Sequence, residues 1–254
     1  MRTGAVLWTF FLIPLHLCAQ DGADASLAHI RVQPTVRLDP GKPGTDWSSI
    51  LWQSSAFLAI EHGFRFATEP GTRELFGGPF FKDYGNAIKG LKGWGDKDPF
   101  LVNYIGHPMQ GAVTSYIYTN NNRQGRLAEF GANRDYWSSR LRAMAFSAAY
   151  SAQFEIGPVS EASLGNVGSS AVPGTMGWVD LVVTPTAGMG WQVTEDMLDR
   201  YPIPPLENKI PWGPAIIVFR GVLNPTRSFS NAMRLRVPWH RDTRPGWREL
   251  TSRR

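Results

Sequence analysis

The chain has 254 residues, of which 43% are hydrophobic, 12% aromatic and 19% charged, and its formal net charge is +5. This many aromatic side chains can bury enough apolar surface to offset the entropy of ordering the chain, which excludes an intrinsically disordered protein. The mean hydropathy of −0.23 is too polar for a polytopic membrane protein.

The first residues have the form of a secretory signal peptide. Arg2 precedes an apolar run from Ala5 to Leu15, and the small residue Ala19 follows. We therefore predict a signal peptide over residues 1–19, export to the periplasm or cell envelope, and no membrane span in the mature chain. Cleavage would remove Cys18, the single cysteine, so we expect no disulfide, thiolate metal site or cysteine nucleophile.

The body of the chain predicts a mainly α protein. Residues 20–45 are rich in Pro, Gly and Asp without periodicity and predict an extended leader before a helical domain over residues 46–222. Start and stop signals such as Asp98-Pro99 and Gly157-Pro158 bound the predicted helices. We expect a compact bundle of about four kinked, small-residue-rich helices with long Gly/Pro loops, the helices lying at 47–67, 98–118, 134–156 and 177–201.

Three further segments have local signals. The helix at 47–67 has apolar positions on more than one side, which predicts that it lies buried in the middle of the bundle. Residues 70–97 hold seven glycines and predict loop with short helical pieces. The apolar run at 215–219 fits a strand or a helix equally well.

A pattern of polar residue, three residues, polar residue, Pro, two residues and Gly occurs twice. In each copy the polar residues stand at i and i+4, on one face of a helix. Each Pro removes a helical hydrogen bond and disfavours helical geometry at the residue before it. The pattern predicts either two independently kinked core helices or one shared polar site. The copies contain Asn103, His107, Pro108 and Gly111, and Asp180, Thr184, Pro185 and Gly188.

Ionisable residues on these apolar helices form the candidate site. His107, Glu155 and Asp180 cannot each be buried alone at tolerable cost, so we predict that they lie close together in the core. After the Gly157-Pro158 break, Ser160 and Glu161 also fit an ordinary helix cap. The candidate catalytic residues are His107, Asp180 and Glu155, and the candidate binding residues are Asn103, Thr184, Glu61, His62, Ser160 and Glu161.

These residues resemble an uncharacterised domain family of bacterial envelope proteins with an Asn-Tyr-x-Gly-His-Pro motif. The resemblance covers about residues 98–192 and rests on the string from Asn103 to Pro108, on Glu155 with Pro158 and Ser160, and on the segment from Asp180 to Gly188. It implies an envelope location and a helical fold, without an assigned activity.

The polar residues leave two functions open. The sequence favours a non-catalytic binding or structural role at a membrane surface, through aromatic-rich helix ends and a basic C-terminus. The alternative is a hydrolase-like acid–base enzyme in which Asp180 or Glu155 orients His107 as the base. No specific catalytic string is present, and the histidines and carboxylates lack ligand spacing, so we expect no metal and no cofactor.

The C-terminus concentrates the positive charge. Eight arginines from Arg227 onward face two acidic residues, so this segment carries +6 and the remaining residues −1. We predict a basic tail over residues 223–254 that contacts anionic lipid or lipopolysaccharide, and no nucleic-acid partner. The alternative is a solvated tail over the protein's own acidic surface. The predicted lipid-facing arginines are Arg234, Arg236, Arg241, Arg244 and Arg248.

Overall fold

The computed structural model describes residues 44–68, 72–73, 79–96, 98–165, 176–210 and 213–243. Within these ranges the protein is mainly helical and has no strand beyond an isolated bridge, which confirms the predicted fold class. The predicted signal peptide, nearly all of the predicted leader, Arg244 and Arg248 lie outside the described residues. No helix in the described ranges is long and apolar enough to cross a membrane.

The described residues form nine α-helices and two π-helical turns, more than the four helices predicted. The four longest helices are α1 (Trp47–Thr68), α3 (His107–Asn120), α5 (Arg134–Ile156) and α6 (Val179–Arg200). The shorter helices are α2 (Phe80–Lys89), α4 (Arg123–Leu127), α7 (Ile203–Lys209), α8 (Gly213–Leu223) and α9 (Pro225–Met233). The π turns are Val102–Gly106 and Glu161–Gly165. The apolar run at 215–219 is therefore helical.

Helices α3 and α6 pack side by side in the same direction. His107 at the start of α3 lies beside Asp180 at the start of α6, with Nε2 3.4 Å from Oδ1. Further along both helices, the Tyr116 hydroxyl donates a hydrogen bond of 3.1 Å to Oδ1 of Asp196. The starts of the two helices therefore lie together, and so do their later parts, which makes the two helices parallel.

Helix α5 runs antiparallel to both. Arg140 near its start donates a hydrogen bond to Asp196 near the end of α6, while Ser151 near its end donates to the backbone oxygen of Asp180. Small residues such as Ser147, which is fully buried, line this contact, as the sequence predicts. The three helices thus have one common end at His107 and another at Asp196.

The glycines of the repeated pattern face each other where α3 and α6 meet. A Cβ atom on Gly111 would lie 1.8 Å from the backbone oxygen of Thr184, and one on Gly188 would lie 2.8 Å from Cα of Gly111. These separations are far below van der Waals contact, so the backbones can meet this closely only without side chains. The two copies of the pattern therefore meet in one helix contact.

The first copy accommodates its proline in a way that the sequence did not predict. The residue before Pro108 was expected to leave helical geometry, but His107 is helical, with φ −62° and ψ −42°. The chain instead accommodates Pro108 through the π turn that precedes it, where the His107 N–H donates to the backbone oxygen of Val102. Pro185 lies inside the continuous helix α6, so Thr184 is helical as well.

Helix α1 covers the bundle from one side. Ile50 and Phe57 are buried and join the apolar core with residues of α3 and α5 such as Ile117. Leu51 and Trp52 on the same helix are more than 60% exposed. The prediction that this helix lies in the middle of the bundle is therefore wrong, because its apolar positions include an outward face.

The predicted basic tail is partly a structural element. Helix α9 packs against α3, and the backbone N–H of Thr226 donates to the buried Glu195. Arg241 is buried and pairs with Asp199. The predicted boundary at residue 223 is therefore wrong for residues 225–243, because their polar groups complete the core. Of the predicted lipid-facing arginines that the structure describes, Arg241 is buried, Arg234 is mostly buried and pairs with Asp242, and Arg236 is exposed.

Candidate functional site

Three helices bring the predicted catalytic residues together. His107 begins α3, Glu155 lies in the last turn of α5 and Asp180 lies in the first turn of α6. One nitrogen or oxygen atom from each lies within 4.8 Å of the other two. Their exposed fractions are 8%, 5% and 4%. The prediction that these groups converge in the core is confirmed.

The carboxyl groups of this cluster lack sufficient compensation. Burial, together with a hydrogen bond shared with Asp96, raises the pKa of Asp180 to about 9. Burial also raises the pKa of Glu155, and the nearby carboxylates of Glu161 and Asp180 raise it further. Oε1 of Glu155 and Oδ1 of Asp180 are buried without a hydrogen-bond partner. Unpaired buried oxygens of this kind are costly unless a proton or cation occupies the space between them.

Helix position contributes to this imbalance. The partial positive charge at a helix N-terminus favours the Asp180 carboxylate, whereas the partial negative charge at a C-terminus disfavours Glu155. The arginine at this end, Arg65, forms an ion pair with Glu161. Asp96 accepts hydrogen bonds from Asp180 and from the Asn103 amide. Burial raises the pKa of Asp96, but these hydrogen bonds outweigh burial, so the pKa is lowered.

His107 is held in one orientation. Its Nδ1 atom lies 3.1 Å from Oε1 of Gln110 and 3.4 Å from the hydroxyl of Thr184, while Nε2 faces Asp180. Burial lowers the pKa of His107, which favours the neutral ring. A neutral ring that donates from Nδ1 to Gln110 presents an Nε2 lone pair to the two carboxyl groups.

Glu61 and Tyr150 support this orientation of His107 through Gln110. Burial raises the pKa of Glu61 to about 8, against hydrogen bonds from Tyr150 and Gln110 that favour the ionised form. The Tyr150 hydroxyl donates to Oε2 of Glu61 at 2.7 Å. Because the Gln110 amide nitrogen points to Glu61, its oxygen points to His107, which fixes the donor at Nδ1.

The remaining predicted binding residues surround the cluster without joining it. His62 stacks on Phe154 with ring centroids 5.2 Å apart, and its Nε2 lies 3.3 Å from the backbone oxygen of Val159. Ser160 and Ser163 exchange backbone and side-chain hydrogen bonds, so Ser160 caps the second π turn, which is its ordinary role. Asn103 contacts Asp96, and its own Oδ1 is buried without a hydrogen-bond partner.

Asp96 and Gln110 belong to the site but were not among the residues predicted from the sequence. Asp96 lies in the Gly-rich segment that predicts loop, where an acidic residue gives no periodic signal. Gln110 stands three residues after His107, on the same helical face, so its spacing was a usable signal.

Exposed aromatic residues stand beside this cluster. Phe100 stacks on Tyr104 with ring centroids 4.9 Å apart, and the Trp94 indole donates to the Tyr104 hydroxyl. The backbone N–H of Trp178 donates to the backbone oxygen of Gly93. The four aromatic side chains are each 39–69% exposed. They flank Asp96, Asn103 and Asp180 in the sequence, which places an apolar surface next to the acidic cluster.

Two carboxylates and one imidazole are a donor set for a divalent metal ion. Zn²⁺ accepts His nitrogen and Asp or Glu oxygen, and three protein ligands with one open position are typical of its catalytic sites. These residues show no metal-ligand spacing in the sequence, because they lie on three different helices.

Comparisons with known protein families, with curated proteins and with solved structures find no match to this chain. The resemblance to an envelope domain family therefore stays a prediction.

Proposed function

We propose that His107, Glu155 and Asp180 bind a divalent cation and that the protein uses this centre for hydrolysis at the surface of a membrane in the cell envelope. The observation that carries the proposal is the convergence of three buried residues whose ligand atoms lie within 4.8 Å of one another. Each of the two carboxyl groups also has a buried oxygen without a hydrogen-bond partner. A cation between them would neutralise the buried carboxylates, which no other group in the cluster does fully.

The distances fit a metal better than a hydrogen bond. Nε2 of His107 and Oδ1 of Asp180 are 3.4 Å apart, which is long for a hydrogen bond involving a charged group. Two ligands that each lie about 2.0–2.1 Å from one tetrahedral ion are separated by about this distance. Gln110 supplies the outer contact, since metal-binding histidines usually donate their second N–H to an oxygen acceptor.

The donor set indicates the class of ion and the chemistry. One nitrogen and two carboxylate oxygens suit Zn²⁺ or Mn²⁺. When bound, such an ion lowers the pKa of a coordinated water and supplies hydroxide near neutral pH. The protein's own residues would orient the ligands, and Asp96, next to Asp180, would accept or return a proton.

The aromatic surface points to an amphiphilic substrate. Trp and Tyr side chains with one apolar and one polar part are enriched at membrane–water interfaces. Trp94, Phe100, Tyr104 and Trp178 would contact the apolar part of such a molecule while its polar part reaches the cluster. Export, indicated by the N-terminal sequence, is part of this proposal, and so is attachment to anionic lipid through Arg236 and the arginines beyond residue 243.

A second candidate uses the same residues without a metal. Because Gln110 holds Nδ1 of the neutral His107 ring, Nε2 can act as a general base next to Asp180. A non-catalytic role at the membrane surface is the third outcome, since it needs only the exposed aromatic side chains.

Isothermal titration of chelator-treated protein with Zn²⁺ and Mn²⁺ tests the proposal. We expect one site per chain, lost in Asp180→Asn and Glu155→Gln and kept in Asp135→Asn, which changes an exposed carboxylate that contacts Gln124. Hydrolysis of micellar and monomeric esters should require the same metal and favour micelles. Activity that persists in chelator without metal binding favours the acid–base candidate, and loss of both leaves the non-catalytic role.

A further inference from the structure

A cavity of about 230 Å³ lies at the opposite end of the bundle, between the ends of α3 and α6 and the segment after α9. Six arginines line it: Arg126, Arg140, Arg200, Arg227, Arg234 and Arg241. Four carboxylates also line it: Glu129, Asp196, Asp199 and Asp242. The lining therefore carries two more positive than negative charges.

The arginines of this cavity have unused hydrogen-bond donors. Nε of Arg126, Nε of Arg227 and Nη2 of Arg241 are buried without a hydrogen-bond partner. The Arg241 side chain is fully buried, and its carboxylate partner Asp199 also pairs with Arg227. Burial lowers the pKa of Arg241 to about 10, the sign of a positive charge that its surroundings compensate incompletely. Buried N–H groups of this kind are normally satisfied by an acceptor.

We propose that this cavity binds a phosphate group, as free phosphate or as the phosphate monoester of a lipid headgroup. Guanidinium groups match phosphate oxygens through paired N–H donors, and the two excess positive charges match a phosphate dianion. The carboxylates already present hold the arginines in place, so that the anion would meet a preformed site.

This site is separate from the acidic cluster. Arg140 and Glu155 are fifteen residues apart on α5, which corresponds to about 22 Å along a helix. Phosphate binding is therefore independent of the proposed function, and the failure of one proposal would leave the other standing.

Arg126 is the best position at which to test the site. Its side chain is 27% exposed, and its Nε atom lies 3.8 Å from Asp242, outside hydrogen-bond range. Arg126→Gln therefore removes an anion-binding donor at little cost in folding. Arg142→Gln is the matched control, because Arg142 is exposed and hydrogen-bonds to Ser138 away from the cavity.

The experiment is calorimetric titration of the full-length protein with inorganic phosphate at constant ionic strength. We expect saturable binding to one site, about tenfold weaker in Arg126→Gln and unchanged in Arg142→Gln, because only the first substitution removes a charge-assisted hydrogen bond to the anion; tenfold corresponds to about 1.4 kcal/mol. Phosphate should also raise the Tm of the wild type and of Arg142→Gln more than that of Arg126→Gln.

Vesicles distinguish the two sources of phosphate. Binding to phosphatidic acid vesicles that free phosphate displaces and Arg126→Gln weakens assigns the cavity to a lipid headgroup, with phosphatidylcholine vesicles as the blank. Phosphate binding without such vesicle binding assigns it to a soluble phosphate. The absence of saturable phosphate binding, or equal binding by Arg126→Gln and Arg142→Gln, overturns the proposal.

Discussion

The two ends of the α3–α5–α6 bundle place carboxyl groups in opposite electrostatic surroundings. At one end, Glu155 and Asp180 are buried with oxygens that have no hydrogen-bond partner. At the other, Asp196 is equally buried but accepts hydrogen bonds from Arg140, Arg227 and two tyrosine hydroxyls. The first end therefore has acceptor oxygens without donors, and the second end has N–H donors without acceptors.

This difference teaches how to separate stabilising charges from functional ones. A buried ion pair with satisfied partners mainly maintains the fold, and breaking it exposes an uncompensated charge. A buried charge without a partner lowers stability and persists when a ligand compensates it. By this criterion the acidic end fits the cation site that we propose, and the Arg-lined end combines structural pairs with the proposed anion site.

The largest expected effect is at the paired end. Asp196→Asn removes the charge that compensates Arg140 and Arg227, and we expect a loss of about 3–5 kcal/mol in the free energy of unfolding. Urea denaturation followed by circular dichroism measures it. A loss below about 1 kcal/mol would show that the two ends do not differ in the way described.

Gly111→Ala should be the next most disruptive change, because it breaks the contact that both ends share. Its Cβ would meet the backbone oxygen of Thr184, which cannot move without separating α3 from α6. Overpacking in a core costs typically about 1–3 kcal/mol, and we expect the upper part of this range. Gly221→Ala is the control: nothing lies within 4 Å of its Cβ position in α8, so it should stabilise the protein by about 0.5–1 kcal/mol.

The pH dependence of stability should differ between Glu61→Gln and the wild type. A carboxyl whose pKa is about 8 in the folded protein and about 4.5 in the unfolded chain binds more protons when folded, so its contribution is complete below pH 4.5 and lost as pH rises to 8. After allowance for partial exposure, we expect the substitution to remove on the order of 2 kcal/mol of this decline. Metal-free protein, unfolded in urea at pH 5 and pH 8, gives the comparison; equal declines in both proteins contradict the expectation.

Asp180→Asn in metal-free protein should have a small effect, in contrast to Asp196→Asn. The substitution removes a carboxyl that lies among other acidic groups, so we expect a change within about 1 kcal/mol at pH 7, of either sign. The same urea measurement applies. A loss comparable to that of Asp196→Asn would mean that Asp180 is a structural partner of His107 and that no cation is needed.

The smallest effect is expected at Arg236. Its side chain is exposed, and surface substitutions usually change stability by less than about 0.5 kcal/mol. Arg236→Gln should leave the Tm unchanged and weaken binding to anionic vesicles at low salt, whereas Arg241→Gln should lower the Tm because Arg241 is buried beside Asp199. Equal Tm values for both variants would contradict the division of the C-terminal segment into buried and exposed arginines.

The sequence by itself determined the mainly helical class and where some of the helices begin and end. The helix at 134–156 is confirmed residue by residue, because Asn133 caps its start and Gly157-Pro158 ends it, and such signals act over a few residues. The candidate residues His107, Glu155 and Asp180 were also accessible, since a polar residue on an apolar helix requires a partner wherever that helix packs.

Only the tertiary structure decided which partners meet. The parallel packing of α3 and α6 brings His107 to Asp180, and the antiparallel α5 adds Glu155 from a helix end that the sequence alone cannot orient. The sequence pattern of the arginines after residue 226 predicts a solvated or lipid-bound tail, because their carboxylate partners stand far earlier in the chain. Asp196 is 31 residues before Arg227, and Asp199 is 42 residues before Arg241. Pairing over such separations depends on the packing of whole helices, which leaves no periodic trace in the sequence.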